Sequence, residues 1–381
     1  MLKLLRLVLS FLNKLLPKFE GVVIEPFPNS DSNSIELANY LARNYKLNIY
    51  FAISSGSDDS PKKLLHPSII IIRSKSLVHI WLALTSKFIF FTHGTFMRKS
   101  SSKQTVVNLW HGVGHKKICT YLGLPGVPAD ITVATSDLTK SIFSKAFGVP
   151  EETVIISGYP RNDILIRAKS EKNRIKTKID PKLNSFSKLL IWLPTFRQYK
   201  NESSNQHGIE VGNPFYIENF NVMYFNQLLK AENALCIIKP HPMAPQYNTA
   251  YGCDHLLFID DGWVSKHDIT LYDLIGCTDM LISDVSSVIV DYLLIDQPII
   301  CVSTDLEEYK QTRGFYFENI EDWLPSKVIR TEGEFFSYLK AILQTGHDSY
   351  EDKRRSLKNK FFKHFDGNSS KRLVEKVMIV Q

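Results

Sequence analysis

"DMLISDVSSVIVDYLLIDQPIICVS" (residues 279–303) reads as a strand, a turn holding an acid and two hydroxyls, a helix and a second strand. Both strand segments are continuously apolar rather than alternating, so each is buried on two faces. Strands of that kind pair in parallel and need helical crossovers to join them. One such unit sets the class as α/β, and the rhythm continues in both directions. Upstream lie "HLLFID" (255–260), "ALCIIKP" (234–240) and "LLIWLPT" (189–195). Before them a lysine-rich piece, 167–188, interrupts the pattern and reads as a linker. The alternation resumes in the N-terminal half with "GVVIEPF", "LNIYFAIS", "SIIIIRS", "KFIFFTH", "QTVVNLW", "DITVATS" and "TVIISGY". "NSIELANYLARNY" and "SLVHIWLALTS" are helices among them.

The expectation is two Rossmann-like doubly wound domains, 20–180 and 181–350, with the carboxyl ends of both strand sets facing an interdomain cleft. A helical segment, 351–381, follows. A chain of 381 residues is too long for one ordinary core, which agrees with two domains.

Composition narrows the function classes. The chain is 44% apolar and carries a net charge of +7, which suits phosphate-bearing ligands, nucleic acid or an anionic membrane. The lysines are dispersed and no nucleic-acid motif occurs, so no nucleic-acid partner is expected. Five scattered cysteines without a C-x-x-C pair argue against a disulfide framework and for a reducing compartment. Residues 1–19, "MLKLLRLVLSFLNKLLPKF", lack a cleavage site and are too often charged to span a bilayer. As a helix they place Lys3, Arg6, Ser10, Asn13 and Lys14 on a narrow face opposite a wide leucine-rich one. That pattern fits an amphipathic helix lying in a membrane surface, or one packed on its own domain.

The chemistry-bearing residues cluster where strands end. His111 follows "QTVVNLW" and can take a proton from a hydroxyl; Gly112 allows close backbone approach, and Lys116 adds charge. In "CIIKPHPM", Lys239 and His241 sit on a proline-stiffened turn and can donate to a phosphate oxygen. Asp284 and Ser286 are plausible helix caps, yet Ser286 and Ser287 also offer hydroxyls to an anion. "WLPTFRQ" brings Thr195 and Arg197 to a strand end. "SGYPRNDIL" does the same for Arg161, Asn162 and Asp163, which with Gly112 and Lys116 are the candidate acceptor or glycerol contacts and which also suit a simple turn. No P-loop occurs, and Asp260–Asp261 is a weak metal signal, so neither a metal nor a cofactor is expected.

In order along the chain, "WHG…KK" (110–117), "GYPRND" (158–163), "LPTFR" (193–197) and "KPHP" (239–242) are joined by three longer pieces. These are "ISDVSSVIVDY" (282–292), "DLEEYKQTRGFYFE" (305–318) and "DGNSSKR" (366–372). Together they resemble the CDP-glycerol glycerophosphotransferases of teichoic-acid and capsule polymer synthesis, from about residue 100 onward. The resemblance implies a GT-B-like fold, with the donor nucleotide in the second domain and the acceptor toward the first. It implies His111 as catalytic base, His241 facing the donor diphosphate and Ser286 and Ser287 touching it, with Arg313 beside them. It further implies CDP-glycerol as donor and a lipid-linked glycan or polyol-phosphate as acceptor. The location implied is peripheral, on the cytoplasmic face of the bacterial membrane. The family's usual "WHGTPLKK" is altered here at Val113, Gly114 and His115, and Val285 replaces an aromatic. CDP-ribitol as donor, or a nucleotide-sugar glycosyltransferase on the same architecture, remain alternative expectations.

Overall fold

The computed structural model describes residues 2–54, 61–95, 101–195, 215–241 and 252–379. Two compact units divide the chain. The first comprises 1–112, 118–164 and 360–381, and the second comprises 113–117 and 165–359.

The first unit is built on a seven-stranded sheet, all parallel. Its strands are β1 (Phe19–Glu25), β2 (Asn48–Ile53), β3 (Ile70–Arg73), β4 (Ser86–Phe91), β5 (Thr105–Asn108), β6 (Ile131–Ala134) and β7 (Val154–Ile156). They lie in the order β3-β2-β1-β4-β5-β6-β7, with Val22 opposite Ile49 on one side and Phe88 on the other. Strand order therefore reverses between β1 and β4. A crevice opens at the carboxyl ends of strands at such a reversal, because the crossovers on its two sides run to opposite faces.

The second unit repeats the plan with six strands: β8 (Lys188–Leu193), β9 (Ala234–Ile238), β10 (Leu256–Phe258), β11 (Met280–Ser283), β12 (Ile299–Val302) and β13 (Val328–Ile329). Their order is β10-β9-β8-β11-β12-β13, again parallel, with the reversal between β8 and β11. Trp192 anchors its core among Phe215, Phe225 and Phe335, at ring-centroid separations of 5.0–6.0 Å. Burying each phenylalanine is worth about 1.5–3 kcal/mol over leaving it exposed. Both units are doubly wound and Rossmann-like, as the apolar strand pattern and the GT-B-like expectation require.

Three boundaries differ from the sequence reading. The lysine-rich stretch is not a loose linker: Lys172–Ile179 is helical, with Ile175 and Ile179 buried. The division falls earlier, between 164 and 165, inside the helix Pro160–Ser170. The second-unit part of that helix lies on Gly276, where an added Cβ would stand 2.5 Å from Ala168 Cβ. At the other end the segment 351–381 is split, because residues from Lys360 onward return to the first unit. There Thr135 holds it, its Oγ1 donating to Phe361 O at 2.6 Å and its carbonyl accepting from Lys363 N.

The N-terminal helix spans Leu2–Leu15 and contacts the helix Leu77–Thr85. Asn13, expected on a water-facing stripe, is fully buried: its Nδ2 donates to Gln104 Oε1 and its carboxamide oxygen accepts from Lys18 Nζ. Val8, Phe11, Leu12 and Leu15 are exposed instead, as are Leu77, Val78 and Trp81 on the neighbouring helix. No described helix is long and apolar enough to cross a membrane.

Candidate active-site residues

In the first unit, two strand ends present histidines to the same place. β4 runs into Thr92-His93-Gly94 and β5 into Leu109-Trp110-His111-Gly112. The turn after β5 is conformationally costly. Trp110 has φ +55°, a value that bulky residues rarely hold, and Gly112 has φ +130°, open essentially to glycine alone. Neighbours fix this geometry. Trp110 N donates to Asn108 Oδ1 at 2.9 Å, Asn33 Nδ2 donates to Trp110 O at 3.1 Å, and the indole meets Phe147 edge-on at 4.8 Å. Strain that is over-determined in this way is characteristic of functional turns.

His111 is half-buried. Its Nδ1 lies 3.4 Å from Thr92 O, and because a carbonyl only accepts, Nδ1 carries the proton and Nε2 keeps its lone pair. The His93 ring stacks on His111 with centroids 3.9 Å apart and planes within 10°. Burial first, then His93 and Arg161, push the His111 pKa down to about 3, against a smaller upward pull from Thr92. The ring is therefore neutral.

Arg161, Asn162 and Asp163, read from sequence as acceptor contacts, are all buried. Arg161 Nη1 donates to His111 O at 2.7 Å and its backbone N donates to Asn33 Oδ1. It thus supports the histidine turn. Asp163 is occupied elsewhere: its two carboxylate oxygens accept from Ser369 N and Ser370 N at the start of the helix Ser369–Val374. That capping holds the returning C-terminus to this unit, so an acceptor role for Asp163 is replaced by a structural one. Asn162 Oδ1 has no hydrogen-bond partner among the described residues.

In the second unit the site surrounds the β8/β11 reversal. Asp284, directly after β11, is buried, and its Oδ1 accepts from both Thr195 N and Thr195 Oγ1 after β8. It ties two strand ends together rather than capping a helix. Ser286 and Ser287 are half-buried. Ser287 stands at the start of the helix Val288–Tyr292 with no side-chain capping bond, and its hydroxyl has no partner among the described residues. The helix is only five residues long, so the hydroxyls, more than a helix dipole, are what the turn offers an anion.

Lys239 is buried and paired, Nζ to Asp261 Oδ1 at 2.7 Å. Asp260 caps the helix Asp261–Lys266 through Trp263 N. The two acids weighed as a weak metal signal thus have separate tasks. His241 is half-buried; burial and then Lys239 lower its pKa, Asp261 raises it, and Lys116 lowers it further. Lys116, Lys239 and His241 therefore act on one another within this unit. Arg313 is exposed at the end of the helix Leu306–Thr312, and Arg197 lies outside the described residues.

The altered loop after His111 has a definite place. Residues 113–117 belong to the second unit, where Lys116 and Phe315 form an antiparallel bridge. Tyr316 N donates to His115 O at 2.9 Å, and Lys117 N donates to Gly314 O at 3.1 Å. Gly314 has φ +73°, and a Cβ there would come within 3.2 Å of the Lys117 side chain, so the bridge needs glycine. His115 is fully buried, its Nε2 2.9 Å from Trp323 O, and burial pushes its pKa down to about 4. An uncharged imidazole thus pins this strap, which also passes Ser287: a Cβ on Gly114 would stand 3.6 Å from Ser287 Cβ.

His93 and Thr92 escaped the sequence reading, although "THG" at 92–94 repeats the strand-end pattern of "WHG" at 110–112. Asn33 and Asn108 left no such signal, since their role exists only in the folded turn.

A model of the CDP-glycerol:poly(glycerophosphate) glycerophosphotransferase family matches residues 13–379, well beyond the region from about residue 100 where motifs are legible. The chain is 30% identical to the teichoic acid ribitol-phosphate polymerase TarK of Staphylococcus aureus, over 71% of its own length and 52% of TarK. It is 25% identical to a teichoic acid poly(glycerol phosphate) polymerase of Bacillus spizizenii, over 96% of this chain and 93% of the other. The chain spans about half the length of several curated relatives it matches. Among solved structures, the wall teichoic acid polymerase TagF has the same fold, with a TM-score of 0.76 at 20% identity over 98% of this chain and 92% of TagF.

Proposed function

Because the chain belongs to the CDP-glycerol:poly(glycerophosphate) glycerophosphotransferase family, we propose that it transfers glycerol phosphate from CDP-glycerol to an acceptor hydroxyl and releases CMP. The acceptor class is a lipid-linked saccharide or polyol-phosphate of a teichoic-acid-like or capsule polymer. The acceptor oxygen attacks the β-phosphorus, its proton passes to Nε2 of His111, and the bond from that phosphorus to the bridging oxygen breaks to give CMP. His241, Ser286, Ser287 and Lys116 hold the diphosphate and offset charge on the bridging oxygen, with Arg197 and Arg313 as further cations. Positioning and electrostatics supply most of the acceleration in such transfers.

The observation that carries this reading is the His111 turn: a neutral imidazole whose Nδ1 is committed to Thr92 O, leaving Nε2 as the acceptor. At a pKa of about 3 the free ring is a weak base. A general base works best near the operating pH, and the negative charge of substrate phosphates raises the value in that direction.

CDP-ribitol is the second reading, favoured by the 30% identity to a ribitol-phosphate polymerase. Assays with the two donors side by side separate them. Faster CMP release from CDP-glycerol is expected, and a preference for CDP-ribitol would replace the donor while keeping the mechanism. Release of a nucleoside diphosphate would instead mark a glycosyltransferase.

The proposed location is peripheral, on the inner face of the membrane; exposed Val8, Phe11, Leu12 and Leu15 beside Leu77, Val78 and Trp81 support contact with a membrane surface. Lipid contact would cover these apolar side chains. Phe11→Asp with Leu15→Asp is expected to reduce sedimentation with anionic vesicles several-fold, each buried methylene contributing roughly 0.8 kcal/mol. Undiminished sedimentation would remove the helix from that role.

A further inference from the structure

We propose that His93 is a positioning residue for His111: its ring fixes the plane of the base, and it takes the first proton of the stacked pair. The inference rests on the reading of His111 as the base. Four aromatic rings cluster here. Phe27 meets His93 edge-on at 4.7 Å, His93 lies flat on His111 at 3.9 Å, and Trp110 follows His111 at 3.9 Å. His93 covers one face of the His111 ring and Trp110, 6.1 Å from His93, packs against it from an adjacent side, so the ring is restrained, and the Thr92 carbonyl decides which nitrogen faces outward.

Two parallel imidazoles this close cannot readily both be charged. His93 is the more exposed ring and His111 the more enclosed, so the first proton goes to His93. The groups facing His111 agree. His93 comes from the end of β4 and Arg161 from the start of the helix after β7, and both oppose a positive charge on His111. Among the described groups, the Thr92 carbonyl alone favours it. Asp31, at the start of the helix Ser32–Asn44, interacts with Arg161. His93 thus keeps His111 able to accept a proton as the surroundings turn acidic.

The test compares the full chain with His93→Phe, which keeps a flat ring without a titratable group, and with His93→Ala, which removes both. Histidine-ring NMR titration, with the His111 signal assigned by its loss in His111→Ala, should show His111 protonating about one pH unit higher in His93→Phe. The acid limb of kcat/KM for CMP release should move by the same amount. His93→Ala should lose roughly tenfold in kcat with the KM for CDP-glycerol unchanged, and His93→Phe should restore most of that loss. His111 titrating at the same pH in His93→Phe as in the parent overturns the proposal, as does wild-type kcat in His93→Ala. The NMR arm needs no turnover. If His111→Ala keeps full activity while the titration shifts, the base assignment fails and the proton order stands.

Discussion

His111→Ala is expected to lower CMP release from CDP-glycerol by roughly 10²–10⁴-fold, the usual contribution of a positioned general base. The fold should survive, because the backbone of the turn is held by Asn33, Asn108 and Arg161, none of which bonds to the imidazole. The KM for the donor should change little, since the residues assigned to the diphosphate belong to the second unit and His111 to the first. Unchanged circular dichroism with activity near wild type would contradict the role. His111→Gln makes the distinction finer: an amide can keep the contact to Thr92 O, yet it cannot take the proton.

His241→Ala should cost about 10²–10³ in kcat, the scale of losing one donor to a developing oxyanion. Unlike the first variant, it should also raise the KM for CDP-glycerol, because in the proposed reading the same ring N–H bonds the diphosphate in the ground state. Lys239 does not substitute for it, being buried and paired with Asp261. The burial and the neighbouring lysines that lower the His241 pKa keep the free ring neutral at neutral pH. Donor charge then raises its pKa, so affinity for CDP-glycerol should strengthen as pH falls toward the ring's usual range. Isothermal titration with CDP-glycerol from pH 8 to pH 6 checks the sign; affinity that weakens over that range would contradict it.

The doubly wound plan was legible because it depends on a coarse property. Strands such as "LLIWL" and "MLIS" are apolar on both faces, and only a parallel sheet covered on two sides accommodates that. Strand β13 was missed because two residues carry no period. The domain break was misplaced because the lysines of Lys172–Ile179 look like a linker, while Ile175 and Ile179, with Lys176 buried beside them, hold the helix down. The site residues were legible to the extent that strand ends are. His111, His241, Thr195 and the two serines all lie where sequence put them, at the carboxyl ends of strands. What could not be read was the division of labour among them. Asp284 and Asp163 carry charges that suggest ligand contact, yet each serves another protein group, and that depends on partners 89 and 206 residues away. His115 looked like a defect in a motif, whereas burial against Trp323 O makes it the anchor of the strap.

The central claim is attack of an acceptor hydroxyl on the β-phosphorus of a CDP-alcohol with His111 as base. Mass spectrometry of a defined glycerol-phosphate or saccharide primer, incubated with CDP-glycerol and the full chain, tests it in one measurement. The account predicts primer heavier by glycerol-phosphate units, one CMP for each unit added, and neither with His111→Ala. CDP in place of CMP, or equal extension by His111→Ala, would contradict it.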